Sequence, residues 1–237
     1  MSRHLKRLAA PKSLRIPRKV AKWAVKVSPG PHPKERAVPL LYVIRDHLAL
    51  ADRAKEAKKI IKQRKVLVDG RPITDHKFPV GIMDTVAIPE IEGYWRVLID
   101  TKGRLYPNPI PKENASWKLV RIENKTTVKG GITQLNLNDG RNILVEEDVY
   151  RTGDVLKISV PDQEILEHIR FEPGVMALII GGRHVGRIGH IKEYIVERSS
   201  APNRVRFEEG FETIKENVFI IGRKRPLIEL PEVRTVA

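Results

Sequence analysis

The chain has 237 residues and no cysteine. Disulfide scaffolds, cysteine-ligated zinc, iron–sulfur clusters and thiol catalysis are therefore excluded. No apolar run approaches the ~18–20 residues that span a bilayer, and the N-terminus lacks a signal peptide's apolar core. The expectation is a soluble, intracellular protein with no membrane partner. Internal repeats and low-complexity runs are also missing. Acid is missing from one stretch above all: residues 1–37 carry 11 Lys/Arg against a single acid, Glu35. The three later segments, 38–100, 101–170 and 171–237, each nearly balance. Most of the net charge of +15 thus comes from the first arm. A segment that withholds acids stays attractive to a polyanion.

That arm holds Arg3, Lys6, Arg7, Lys12, Arg15, Arg18, Lys19 and Lys22, with prolines at 11, 17, 29, 31 and 33. Apolar residues are sparse and prolines frequent, so the stretch reads as a basic extension (1–38) that orders on its partner. Trp23 is available to stack or dock. A disordered solubility tail is the bland alternative. An organellar transit peptide is disfavoured by the proline density.

The most patterned stretch runs from Leu40 to Ile88. An apolar-faced run, Leu40 to Leu48, precedes Asp52, which stands where an N-cap carboxylate would accept the free N–H groups of a following helix. In that helix Ala54, Ala57, Ile60 and Ile61 recur at helical spacing and form one buried stripe. Its other faces carry Arg53, Lys55, Lys58, Lys59, Lys62, Arg64 and Lys65 against one acid, Glu56. Solvated helix faces usually mix signs. This imbalance favours a rail for a phosphate backbone over a solubility surface. Strand signals come next: Val66 to Val68, an Asp69-Gly70 turn, and Val86 to Ile88 after a turn at Gly81 to Asp84.

Ala51-Asp52-Arg53-Ala54-Lys55-Glu56-Ala57-Lys58-Lys59-Ile60-Ile61, followed by Val66-Leu67-Val68-Asp69-Gly70, resembles the small RNA-binding domain named after bacterial ribosomal protein S-four. That pattern opens on Ser-Arg, continues through Ala-Arg-x-Leu-Ile and ends Gly-x-Val-x-Val-Asn-Gly. Here Asp52 replaces the serine, Arg64 the glycine and Asp69 the asparagine. Asp52 keeps a capping oxygen and Asp69-Gly70 keeps a turn. Arg64 puts a side chain where the family's glycine takes a left-handed conformation.

After Glu92 the pattern turns to strands. Tyr94, Trp95, Val97 and Ile99 lead to a Thr101-Lys102-Gly103 turn beside Arg104. Trp117 to Ile122 alternate, Leu135 and Leu137 precede an Asp139-Gly140 turn, and Val155 to Val160 come after Gly153-Asp154. Short strands with regular turn signals predict a small antiparallel barrel or sandwich over 94–170. The acids Glu146, Glu147 and Asp148 sit beside a turn and read as capping or solvated groups.

From Phe171, an apolar strand, a Gly-rich basic turn and a returning strand predict a hairpin whose backbone can approach another surface closely. Gly181-Gly182-Arg183-His184-Val185-Gly186-Arg187-Ile188-Gly189 resembles the KOW motif of ribosomal proteins and elongation factors, implying a small SH3-like barrel over 171–222. An ordinary hairpin with glycines for the turn is the bland alternative, and a phosphate loop is weaker still, because no Gly-Lys-Ser/Thr and no helix follow. His184 and His190 lack the further ligands a metal needs. Arg223, Lys224 and Arg225 open a tail, 223–237.

Across the whole chain the order of parts resembles the S-four-e family of archaeal and eukaryotic small-subunit ribosomal proteins. Asp100 to Arg104, Phe78-Pro79 with Gly81 to Asp84, and Val218 to Gly222 carry further matches. The compact length and absence of cysteine fit the archaeal branch. The resemblance implies an α+β, multi-domain chain: a helix–hairpin RNA-binding domain (39–93), then two small, mainly antiparallel β domains. It further implies a cytoplasmic, non-enzymatic constituent of the small ribosomal subunit. Such a constituent binds small-subunit rRNA beside neighbouring ribosomal proteins, as a monomer, with no cofactor, metal or small-molecule substrate. Two rivals remain: a pseudouridine synthase-like RNA-modifying enzyme, with Asp84 or Asp100 as candidate aspartates, and a KOW-type elongation factor on RNA polymerase.

Overall fold

A computed structural model describes residues 4–230. Among these residues the fold is mostly β with few helices: three five-stranded antiparallel sheets and two two-stranded ribbons. No helix among the described residues is long and apolar enough to cross a membrane.

The helix–hairpin unit forms close to its predicted outline. Leu40–Tyr42 is helical and continues as a π-helical turn through His47. The second helix is Ala54–Lys62, with Ala57 and Ile61 fully buried and Ala54 and Ile60 packed beside them. Asp52 does not cap it. The helix starts one residue later, and Glu56 reaches back to accept the backbone N–H groups of Asp52 (3.2 Å) and Arg53 (3.1 Å). An acid three residues into a helix satisfies orphan donors and also meets the positive end of the helix dipole.

Arg64 does take the left-handed conformation, at φ +60°. A side chain there costs ~1–2 kcal/mol, while glycine adds entropy to the unfolded chain. Arg64→Gly should therefore raise stability by about 0.5–1 kcal/mol in urea unfolding. A loss of stability would mean that the arginine makes a compensating contact.

Leu67–Val68 and Arg71–Pro72 form a hairpin through Asp69 and Gly70, both at positive φ. Leu67–Val68 also pairs with Thr85–Ile88, which pairs with Gly93–Ile99, which pairs with Leu105–Pro109. The sequence pattern groups residues 94–109 with the β segment over 110–170, but in the fold they extend the sheet of the helix–hairpin unit. Leu105–Pro109 is an edge strand, which tolerates its prolines because one side needs no ladder hydrogen bond.

The middle sheet is built on the long strand Trp117–Thr127, flanked by Thr133–Leu137 and Val155–Ser159. Alternation divides its faces. Trp117, Leu119 and Val155 join the main core, while Val120, Ile122, Leu156 and Ile158 close a second core with Leu135 and Leu137. In the last sheet Met176–Ile179 lies between Ile188–Ile195 and Val218–Gly222.

The arm differs from expectation. Leu5, Ala10, Leu14 and Ile16 are buried in the main core. These four apolar residues are too few for a core of their own, but they complete one that already exists. Residues 4–37 are thus ordered on the protein's own body, with Ser28 N–H donating to Lys77 O at 2.9 Å and Leu105 N–H to Ser13 O at 3.0 Å.

One ionic cluster ties the parts together. The Lys118 ammonium is almost wholly buried and meets Asp69 at 2.8 Å, Asp84 at 2.9 Å and Asp139 at 2.6 Å. Arg141 pairs with Asp69 at 2.7 Å, and His32 of the arm with Asp84 at 2.9 Å. Burial alone would lower the Lys118 pKa, but the three carboxylates hold it raised. Arg121 makes a second tie, donating to the carbonyls of Glu216, in the turn before the last strand, and of Val218, which opens that strand, both at 2.8 Å.

Candidate nucleic-acid interface

Cationic residues far apart in the sequence meet in one groove. Lys12, Arg15 and Arg18 of the arm line it with Lys102 and Arg104, beside Leu14, Ile16 and Pro17. Its volume is about 610 Å³, and no acid among the described residues lines it. Alternation in the arm produces this: Leu14 and Ile16 bury, so Arg15 between them must face out. The opposite wall is a tight turn. Asp100 Oδ1 accepts the N–H groups of Lys102 (2.8 Å) and Arg104 (2.7 Å), and Gly103 takes φ +76°.

The Gly-rich hairpin closes on the same turn. A Cβ at Gly186 would lie 2.6 Å from the Asp100 carbonyl carbon, so only glycine permits the approach. The surface that its backbone approaches is therefore the protein's own. Arg183 and Arg187 are exposed on this hairpin. His184 packs its ring on Phe211 at 5.0 Å, and His190 pairs with Glu209 at 3.3 Å.

Other predicted bases divide by what holds them. Arg7 donates to Pro17 O at 2.9 Å, and Arg18 to Pro11 O at 3.0 Å and to Ala10 O, so both staple the arm's loop. Lys6, Lys19 and Lys22 are exposed on the arm, and Lys22 sits 5.1 Å over the Trp23 ring. On the helix, Arg53, Lys55, Lys59 and Lys62 are exposed, as is Arg64 just beyond it. Lys58 is half-buried near His76; burial first, and Lys58 second, hold that imidazole below its ordinary value. Lys65 pairs with Glu90 at 2.8 Å. Burial likewise lowers the His47 pKa, with Arg15 adding to the effect and Asp46 opposing it. Arg223, Lys224 and Arg225 are exposed but outside the groove, and Arg3 lies outside the described residues.

The buried cations escaped sequence reasoning. Lys118, Arg121 and Arg96 look like any other strand cation, yet all three are buried. Arg96 lies 4.2 Å from the Trp117 ring and donates to Asn114 O and Trp117 O. Burial brings its guanidinium down to about 10. Position on a strand with one half-polar face was the only local signal. The candidate aspartates have structural tasks: Asp84 is buried against Lys118 and His32, and Asp100 holds its turn.

Fold and surface together define a class: a mainly β, multi-sheet protein that displays a cationic groove assembled from an arm and a β turn, and a cationic helix besides. Three family profiles match consecutive stretches: the RS4NT (NUC023) domain over residues 1–35, the S4 domain over 39–86, and Ribosomal family S4e over 91–165. Small ribosomal subunit protein eS4 of Methanothermobacter thermautotrophicus is 52% identical over 233 residues, spanning 97% of this chain and 96% of that protein. The Archaeoglobus fulgidus protein of the same name is 50% identical, spanning 96% and 97%. The crystal structure of 30S ribosomal protein S4e from Thermoplasma acidophilum matches with a TM-score of 0.71 at 39% identity, covering 80% of this chain and 97% of that one. The chain belongs to the S4e ribosomal protein family.

Proposed function

We propose that the chain is a structural constituent of the small ribosomal subunit and holds small-subunit rRNA against its cationic groove and helix face. The observation that carries this is the meeting of Lys12, Arg15, Arg18, Lys102 and Arg104 in one groove that no acid among the described residues lines. Five cations without a carboxylate repel one another, and a phosphate backbone relieves that cost. RNA helices are read mostly through backbone, 2′-hydroxyls and shape, so base-specific residues are not required at these contacts.

In this reading the parts divide the work. The arm (1–38) and the turn at Lys102 clasp one backbone. The helix of the unit over 39–93 offers Arg53, Lys55, Lys58, Lys59 and Lys62 to a second. Residues 94–109, which extend the sheet of that unit, and the β unit over 110–170 support both, and the hairpin of an SH3-like KOW unit over 171–222 adds Arg183 and Arg187. The basic start of the tail (223–237) adds a peripheral contact. The protein acts in the cytoplasm as one copy per ribosome, without catalysis. The structural tasks of Asp84 and Asp100 and the naming of the relatives give the enzyme and elongation-factor readings no support.

The helix contribution has a direct test. Arg53→Ala with Lys59→Ala should weaken binding to small-subunit rRNA and flatten the log–log salt slope by roughly 1.4–1.8, at ~0.7–0.9 per lost contact. Filter binding across a salt series measures both. An unchanged affinity and slope would remove the helix from the interface.

A further inference from the structure

We propose that an apolar cleft beside the cationic groove is a pocket for a single unpaired nucleobase; the inference rests on the RNA-binding reading above. The cleft, about 430 Å³, opens where the arm, the 67–109 sheet and the Gly-rich hairpin meet. Ile82, Ile99, Ile180 and Val185 give it apolar walls, and the backbone of Gly181 and Gly182, packed on the Asn217 side chain, completes them. The lining also includes three cations, Lys12, Arg36 and Lys102, against one carboxylate, Glu35.

That combination selects its occupant. An apolar peptide would fill the walls but strip water from three cations without replacing it. A nucleotide satisfies both parts, with its ring among the isoleucines and its phosphates on the lysines and Arg36. Glu35 adds an acceptor for N–H groups on the base edge. Position strengthens the case, because Lys12 and Lys102 line both the cleft and the groove. A strand whose phosphates run along the groove therefore reaches the cleft with a base to spare. Proteins that bind RNA sequence-selectively take up unstacked bases in this way.

The test uses the full chain and two probes of equal charge, an adenylate hexamer and the corresponding abasic ribose-phosphate hexamer, read by fluorescence anisotropy. The base-bearing probe should bind about tenfold more tightly, the effect of burying one largely apolar ring. The preference should disappear in Val185→Phe and in Glu35→Trp, which fill the cleft from the hairpin and from the arm, while each variant keeps the native salt slope. Thermal melting verifies that both variants fold, and Glu35 is exposed enough to tolerate the change. Equal affinity for the two probes overturns the pocket, as does a preference that survives both fillings. Duplex RNA separates the two ideas. Duplex binding with a steep salt slope but no base preference leaves the groove standing and removes the pocket, and loss of duplex binding as well removes both.

Discussion

Lys118→Met is expected to destabilise the protein by roughly 3–5 kcal/mol, the usual cost of leaving buried charge without its partner. For a chain of this size that corresponds to a fall in Tm of roughly 6–20 °C. The reason is geometric: one ammonium satisfies three buried carboxylates at 2.6–2.9 Å, and Arg141 reaches only Asp69 and Asp139. Met matches the volume but leaves Asp84 with only His32 and the Gly81 N–H. The half-exposed Lys65–Glu90 pair is the comparison, and Lys65→Met should cost less than about 1 kcal/mol.

The pH dependence has a definite sign. Burial favours the neutral form of Asp84, but His32 and Lys118 hold its carboxyl well below the usual carboxylate range. In the native protein its contribution is therefore complete above the unfolded value, about 4, and is lost as pH falls through the lower folded value. Without Lys118 the Asp84 carboxyl loses one of the two charges that hold it low, so acid costs the variant less than it costs the native protein. The stability gap should narrow from pH 7 towards pH 4. A gap below 1 kcal/mol at pH 7, or one that widens in acid, would contradict the assignment.

The second large effect concerns the groove. Lys12→Ala, Arg15→Ala, Lys102→Ala and Arg104→Ala together should reduce affinity for small-subunit rRNA by roughly two to three orders of magnitude at low salt. They should also flatten the log–log salt slope by about 3. The four side chains are exposed or half-exposed, so the melting temperature should stay near the native value. Retained affinity and slope would mean that the groove is solvated and that RNA sits elsewhere.

Much of the fold was legible where the chain obeys a local period. The stripe of Ala57 and Ile61 keeps helical spacing, and Asp69-Gly70 marks its hairpin. The alternating residues of Trp117 to Ile122 mark a strand with two buried faces. The features that stayed hidden depend on distance along the chain. Asp84 and Asp69 reach Lys118 across 34 and 49 residues, and each resembles an ordinary turn acid in its own neighbourhood. The arm misled for a related reason: Leu14 and Ile16 are too sparse to announce a core, yet they complete one built by other segments. The site divides in the same way. Composition marked Lys12 and Lys102 as basic, but only the Asp100 turn and the arm's docking bring them to one groove. Sequence could not separate them from Arg7, which holds the arm's own carbonyls.

If this chain is an integral part of the small subunit, docked on rRNA, it should sediment with that subunit. The decisive measurement is a sucrose gradient of a cell lysate, run before and after a high-salt wash. Co-migration with small subunits is expected to persist through the wash, because many phosphate contacts and a shaped surface act together. Protein that stays at the top of the gradient, or leaves the subunit in modest salt, would contradict integral docking.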